Sequence, residues 1–116
     1  MNEETILQKN IMLELNRTRL VRLVRNRIGL DSHGIFGLGT GSPDLVGVLR
    51  SGRAWCLEIK TARGKERASQ LAWWRAARLW HVGGGTVRSV EEAIQALEDQ
   101  LREHDLSPGH CRVGGE

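Results

Sequence analysis

The chain has 116 residues, and its 17 lysines and arginines against 14 aspartates and glutamates give a formal net charge of +3. This length suits one domain and is too short for two independent cores, and the basic balance favours an anionic partner. The two cysteines, Cys56 and Cys111, are too far apart to suggest a disulfide framework or a paired-cysteine zinc site, and no apolar stretch approaches a membrane span. We therefore expect a cytoplasmic protein that does not bind membranes.

The first part of the chain predicts a helix and then a strand. Apolar residues recur every three to four positions over residues 4–16, which is typical of an amphipathic helix. Residues 18–30 are rich in valine, leucine and arginine and predict a strand, with an arginine-rich continuation of the helix as the alternative. Residues 31–40 are rich in glycine and are expected to form a loop.

A β-hairpin is predicted next. The segments DLVGVL (residues 44–49) and RAWCLEIKTA (residues 53–62) read as strands, and RSG between them supplies a short turn. Residues 66–80 form an alanine-rich helix, whose apolar face should lie on the sheet. The residues assigned to that face are Ala72, Trp73, Ala76, Leu79 and Trp80.

The C-terminal part predicts a short strand near residues 86–88 and a last helix. Ser89 and Glu92 have the spacing of a capping box that opens this helix. Its buried positions are expected to be Val90, Ile94, Leu97 and Leu101. The whole order predicts one α/β domain over residues 1–103, with a mixed sheet flanked by helices, and residues 104–116 as a loose tail.

Charged residues interrupt the hairpin strands at three positions. Alternation along the second strand sends Glu58 and Lys60 to the same face, and the antiparallel turn brings Asp44 towards Glu58. Burying these charges is costly unless an ion or ligand compensates them. A divalent cation held by Asp44, Glu58 and the backbone carbonyl of Ile59 would do so, with Lys60 beside a bound water. The alternative is an exposed glutamate–lysine pair of little energetic value.

The same residues resemble a known family signature. Pro43-Asp44, then thirteen residues, then Glu58-Ile59-Lys60 is similar to the signature of PD-(D/E)XK nucleases. The longer pattern GSPDLVGVL, CLEIKTARGKERASQLAWW and VRSVEEAIQAL resembles a virus-type replication-repair nuclease (VRR-NUC) domain.

This resemblance implies a restriction-endonuclease-like fold and metal-dependent hydrolysis of DNA with Mg²⁺ or Mn²⁺. Asp44 and Glu58 would be metal ligands, Lys60 the catalytic lysine, and Gln70 a helix residue that hydrogen-bonds near the lysine or the attacking water. Gln70 could equally be an ordinary exposed residue. The family also places a glutamate of the opening helix at the metal; Glu4 is preferred, and Glu14 is its rival.

The resemblance further implies a homodimer that acts on branched DNA, including four-way junctions, without a small-molecule cofactor. Since no other domain accompanies the match, we expect a stand-alone bacterial or phage enzyme. Arg25 and Arg27 would share a strand face and bind phosphates, unless they are ordinary surface charge. Two alternative functions are a non-catalytic DNA-binding subunit and a restriction-like or exonucleolytic enzyme.

Overall fold

The computed structural model describes residues 2–27, 29–31, 34–36 and 38–102. Its elements, in chain order, are α1 (Glu3–Arg17), β1 (Val21–Arg25), β2 (Gly29–Asp31), β3 (Gly34–Phe36), β4 (Leu45–Leu49), β5 (Ala54–Ile59), α2 (Ala68–Arg78), β6 (Gly83–Val87) and α3 (Val90–Gln100). None of the described helices is long and apolar enough to cross a bilayer. The predicted tail, residues 104–116, lies outside the described residues.

A mixed four-stranded sheet organises the molecule, with strand order β1-β4-β5-β6. The β1–β4 and β4–β5 pairs are antiparallel, and β6 lies parallel to β5. This confirms the predicted hairpin and the predicted α/β class. The strand at residues 21–25 also confirms the strand interpretation over the helical alternative.

The apolar core lies between one face of this sheet and helices α1 and α3. Alternate strand residues such as Leu23, Leu45, Trp55 and Leu57 are almost completely buried there. Full burial of each such side chain contributes about 1.5–3 kcal/mol. The core therefore fixes which residues of β5 point away from it, and Glu58 is one of those.

The composition predicted a loop over the glycine-rich residues 31–40, but part of this segment forms a strand. β3 lies within it and forms a separate antiparallel pair with β2, which ends at Asp31. Backbone hydrogen bonds suffice for such pairing, so glycine content alone did not exclude it. β6 likewise begins at Gly83, three residues before the predicted start, although glycine has low strand propensity.

The predicted buried face of α2 is wrong. Leu79 and Trp80 are 80% and 82% exposed, whereas Trp74 and Ala77 are buried. The helix ends at Arg78 with Leu79 as its C-cap, so Leu79 and Trp80 follow its end. Gln70, Trp74 and Ala77 have the i, i+4, i+7 spacing of a single helix face, and this is the face directed to the protein.

The last helix starts as predicted. The Ser89 hydroxyl accepts a hydrogen bond from the Glu92 amide at 3.0 Å, and the Glu92 carboxylate accepts one from the Arg88 amide at 2.8 Å, one residue earlier than in a standard capping box. Leu97 and Leu101 are buried as expected. Val90 packs against the core as expected, whereas Ile94 is 36% exposed and Ala93 is fully buried in its place.

Candidate active site

The site is built where β4 begins and β5 ends. Leu45 pairs with Leu57, so Asp44 occupies the next position, opposite Glu58. One carboxylate oxygen of Asp44, Oδ2, accepts a hydrogen bond from the Ile59 amide at 2.8 Å. The predicted approach of the two carboxylates therefore follows from the hairpin register.

The backbone before Asp44 is held by Asn26, a residue that the sequence did not single out. Its Nδ2 atom donates to the Ser42 hydroxyl at 2.7 Å and to the Pro43 carbonyl at 2.8 Å. The Asn26 amide also donates to the Asp44 carbonyl at 2.9 Å. Ser42 itself closes a turn onto the Gly39 carbonyl at 2.6 Å, which agrees with a turn-forming role. An asparagine among arginines carries no sequence signal for this function.

Glu58 lies at the centre of the site and is 3% exposed. Its Oε2 atom is 3.4 Å from Lys60 Nζ and accepts a hydrogen bond from Gln70 Nε2 at 3.0 Å. Lys60 is only 8% exposed. The structure therefore brings Asp44, Glu58, Lys60 and Gln70 together and contradicts the alternatives of an exposed ion pair and an exposed glutamine.

Gln70 reaches Glu58 from the first turn of α2. Its Oε1 atom accepts a hydrogen bond from the Arg67 amide at 2.8 Å. The amide orientation is thereby set: the oxygen caps the helix and the nitrogen is left to donate to Glu58. The hydrogen bond from the Arg67 amide fixes the Gln70 side chain. α2 can therefore place this side chain accurately in the site, although a connecting segment separates the helix from β5.

The backbone at and after Lys60 is held by Val87, the last residue of β6, and by Arg88, which follows β6. The Lys60 amide donates to the Val87 carbonyl at 3.0 Å. Arg88 Nη1 donates to the Thr61 carbonyl at 2.6 Å. The VRSVEEA segment therefore serves two local purposes, since Arg88 holds the chain after Lys60 and Ser89 starts α3.

Most of the surroundings of Glu58 favour its neutral form and raise its pKa. Its pKa is raised from 4.5 to about 8, mainly by burial and then by the charge of Asp44 and a hydrogen bond between the two carboxyl groups, whereas Lys60 lowers it. Two facing carboxylates with one ammonium group leave an excess of negative charge. At neutral pH this arrangement needs either a shared proton or a cation.

The donor set fits a hard divalent cation. Asp44 and Glu58 offer carboxylate oxygens, and Mg²⁺ is commonly held by one or two carboxylates together with water and substrate phosphate. Over the part of the chain that the structure describes, no three histidine, cysteine, aspartate or glutamate side chains form a metal-binding group. Among the described residues, Asp44 and Glu58 would therefore be the carboxylate ligands.

Neither candidate for a third carboxylate ligand joins Asp44 and Glu58 in such a group. Glu4 lies 3.4 Å from the amide of Gln8, and Glu14 lies 3.4 Å from Arg17. Glu3, which precedes Glu4, instead lines a groove with Thr61, immediately after Lys60. A contribution from the opening helix stays a prediction.

The two predicted phosphate-binding arginines are both exposed. β1 ends at Arg25, so strand geometry does not place Arg27 on the same face, as the sequence had suggested. Arg25 pairs with Leu45, whose side chain is buried in the core. By strand alternation Arg25 belongs to the face opposite Glu58, and its binding role also stays a prediction.

A solved structure described as a VRR_NUC domain is similar to this chain. The TM-score is 0.61 at 23% sequence identity, and the match covers 90% of this chain and 98% of the other. No family model matches the sequence, and no curated protein matches it either. The fold is therefore similar to that of a VRR_NUC domain, as the sequence resemblance implied.

Proposed function

We propose that this chain is a divalent-metal-dependent nuclease that hydrolyses phosphodiester bonds in DNA. The observation that carries the proposal is the cluster of Asp44, Glu58, Lys60 and Gln70 on the hairpin and α2, in which Glu58 and Lys60 are buried. Burying charged side chains costs free energy. The alternative explanation, an exposed ion pair, does not fit the burial of Glu58 and Lys60. The VRR_NUC-like fold around the cluster supports the same conclusion.

Asp44, Glu58 and the carbonyl of Ile59 would hold Mg²⁺ or Mn²⁺. The bound cation would neutralise charge on the scissile phosphate and acidify a water. Lys60 would orient that water and stabilise the charge that develops on the phosphate. Gln70 would orient Glu58 through its hydrogen bond, and Arg25 and Arg27 would bind flanking phosphates.

We further infer selectivity for branched or four-way-junction DNA and a homodimeric assembly in a reducing cytoplasm. A dimer would present two sites to two strands. The end of α2 offers an apolar surface for it: Trp73, Ala76, Trp80 and Val82 border a groove of about 280 Å³, and Leu79 beside it is highly exposed. The free thiol of Cys56 suits a reducing setting.

A non-catalytic DNA-binding subunit is the main alternative. A retired site has no need for a glutamate whose pKa is raised to about 8 by burial and by a facing carboxylate. A restriction-like or exonucleolytic enzyme of the same fold would use the same four residues and would differ in substrate.

A substrate panel tests this proposal. Labelled duplex, flap and four-way-junction DNA are incubated with the full chain and Mg²⁺ or Mn²⁺. We expect internal cleavage that requires metal and is fastest on the junction. Cleavage that starts only from DNA ends would favour an exonuclease, and binding without cleavage of any substrate would favour the non-catalytic alternative.

A further inference from the structure

A second basic site lies at the other end of the β1–β4 pair from Asp44. Arg19, Arg22 and Arg50 line a groove of about 440 Å³, together with Asn16 and Val48. None of the described residues that line the groove is acidic. The chemistry described above does not use it.

The three arginines are available for a ligand. All three are exposed, and none of their side chains hydrogen-bonds or pairs with another described residue. Three guanidinium groups without a carboxylate repel each other, and this arrangement favours a bound anion. Planar guanidinium groups match phosphate oxygens especially well.

The backbone that carries these arginines is well fixed. Asn16 joins the end of α1 to β1 by two hydrogen bonds to Leu23, at 2.7 and 2.9 Å. The Arg50 amide donates to the Leu20 carbonyl at 3.2 Å. Arg19 adopts a left-handed conformation with φ of 61°, where the chain reverses into β1. The groove is therefore part of the fold's frame.

Two groove residues, Arg22 and Val48, share a sheet face with the catalytic cluster, whereas Val21 and Leu49 belong to the core-facing side. Arg22 pairs with Val48, and Val48 pairs with Ala54. Val48 lies four residues from Asp44 and Ala54 four residues from Glu58, so alternation places all of them on one face. Four residues of extended chain span about 14 Å, which corresponds to about four base-pair steps of a duplex at 3.4 Å each.

We propose that Arg19, Arg22 and Arg50 bind the phosphate backbone of duplex DNA about four base pairs from the bond that is hydrolysed. This inference rests on the proposed function for its choice of anion. It assigns the groove to holding and orienting one duplex arm, while the cluster at Asp44 carries the reaction. Between the two, Val46 is half-buried and Val48 exposed, so this strand presents no acidic side chain to the DNA.

The test measures binding without cleavage. Fluorescence anisotropy in EDTA follows a labelled duplex of about 20 base pairs over a range of salt concentrations. The variant carries Arg19→Asn, Arg22→Ala and Arg50→Ala, with asparagine chosen because it tolerates the left-handed conformation. The control variant removes three exposed charges elsewhere, by Lys9→Ala, Arg75→Ala and Arg102→Ala. Circular dichroism melting confirms that both variants fold.

We expect the groove variant to bind roughly 10- to 100-fold more weakly and its salt slope to fall by about 2 to 3, since each phosphate contact contributes about 0.9. The single change Arg22→Ala should lower the slope by about 1. Equal losses in both triple variants, unchanged binding in the groove variant, or no duplex binding by the wild type would each overturn the inference. The anisotropy assay contains no metal and measures binding alone. A wild type that binds DNA here but cleaves none of the substrates with metal would contradict only the proposed nuclease activity.

Discussion

Glu58 faces three groups that affect its protonation in different directions. Asp44 favours the neutral carboxyl group, whereas Lys60 favours the carboxylate. Gln70 donates a hydrogen bond to it at 3.0 Å. Without a cation, burial and Asp44 prevail and the pKa is about 8. Without a cation, Glu58 therefore carries a proton at neutral pH, and a bound divalent cation would favour its ionised form.

The first prediction concerns stability against pH in EDTA. The folded protein keeps a proton on Glu58 until about pH 8, whereas the unfolded chain releases it near 4.5. The folded state therefore binds more protons between these values, and the free energy of unfolding falls as pH rises, by at most about 1.4 kcal/mol per pH unit. This contribution is fully present below pH 4.5.

Urea denaturation between about pH 5 and pH 9 measures this effect. The Glu58→Gln variant cannot ionise, so its stability should depend less on pH than that of the wild type. Identical pH profiles for the two proteins would contradict the assigned state of Glu58.

The second prediction concerns Gln70→Ala. It removes the donor to Glu58 and the acceptor for the Arg67 amide. We expect a stability loss of about 1 kcal/mol from the lost cap and roughly a 10-fold lower kcat on DNA, with KM little changed. Gln95→Ala is the control, because Gln95 makes a comparable hydrogen bond to Asp99 at 2.9 Å on α3. Equal kcat in both variants would exclude a role for Gln70.

At the scale of elements, the hairpin was predictable and the rotation of α2 was not. Alternating apolar residues and the RSG turn determine the register that joins Asp44 to Glu58. The α2 region has apolar side chains on most of its circumference, including Leu71, Trp73, Trp74 and Trp80, so periodicity alone did not select a face. The polar contact of Gln70 with Glu58 identifies it, and that contact depends on tertiary structure.

The third prediction compares two tryptophans of this region. Trp74 is 8% exposed, lies edge-on to Trp73 and carries Arg78 over its ring at 4.8 Å. Trp74→Ala should therefore cost about 3 kcal/mol or more. Trp80→Ala should cost less than about 0.5 kcal/mol in dilute protein, because Trp80 is 82% exposed. Urea denaturation followed by circular dichroism measures both, and equal losses would contradict the rotation of α2.

At the scale of the whole molecule, the basic block of residues 17–27 divides between two places. Arg19 and Arg22 line the groove with Arg50, while Arg25 and Arg27 lie at the Asp44 end of β1. From the basic balance of the chain, the sequence predicted only an anionic partner. It did not predict the division, because Arg50 joins the groove only through the pairing of β1 with β4.

The fourth prediction concerns assembly. Light scattering after size exclusion should give a mass of twice 13.0 kDa for the wild type. Leu79→Ser with Trp80→Ser should shift the mass towards the monomer, because the change removes two highly exposed apolar side chains that follow the end of α2. Ile6→Ser with Leu13→Ser is the control, at positions that are 46% and 49% exposed on α1. A monomeric wild type, or a dimer unchanged by the first variant, would contradict the proposed dimer surface.

The most direct test of the central claim is cleavage of the preferred DNA substrate by wild type, Asp44→Asn and Lys60→Ala with Mg²⁺, alongside binding of the same DNA in EDTA. We predict that both variants bind within a few-fold of the wild type and lose at least about 100-fold in cleavage rate. Lys9→Ala, at an exposed lysine of α1, should cleave like the wild type. Wild-type cleavage rates in Asp44→Asn and Lys60→Ala would show that the buried cluster is not the active site.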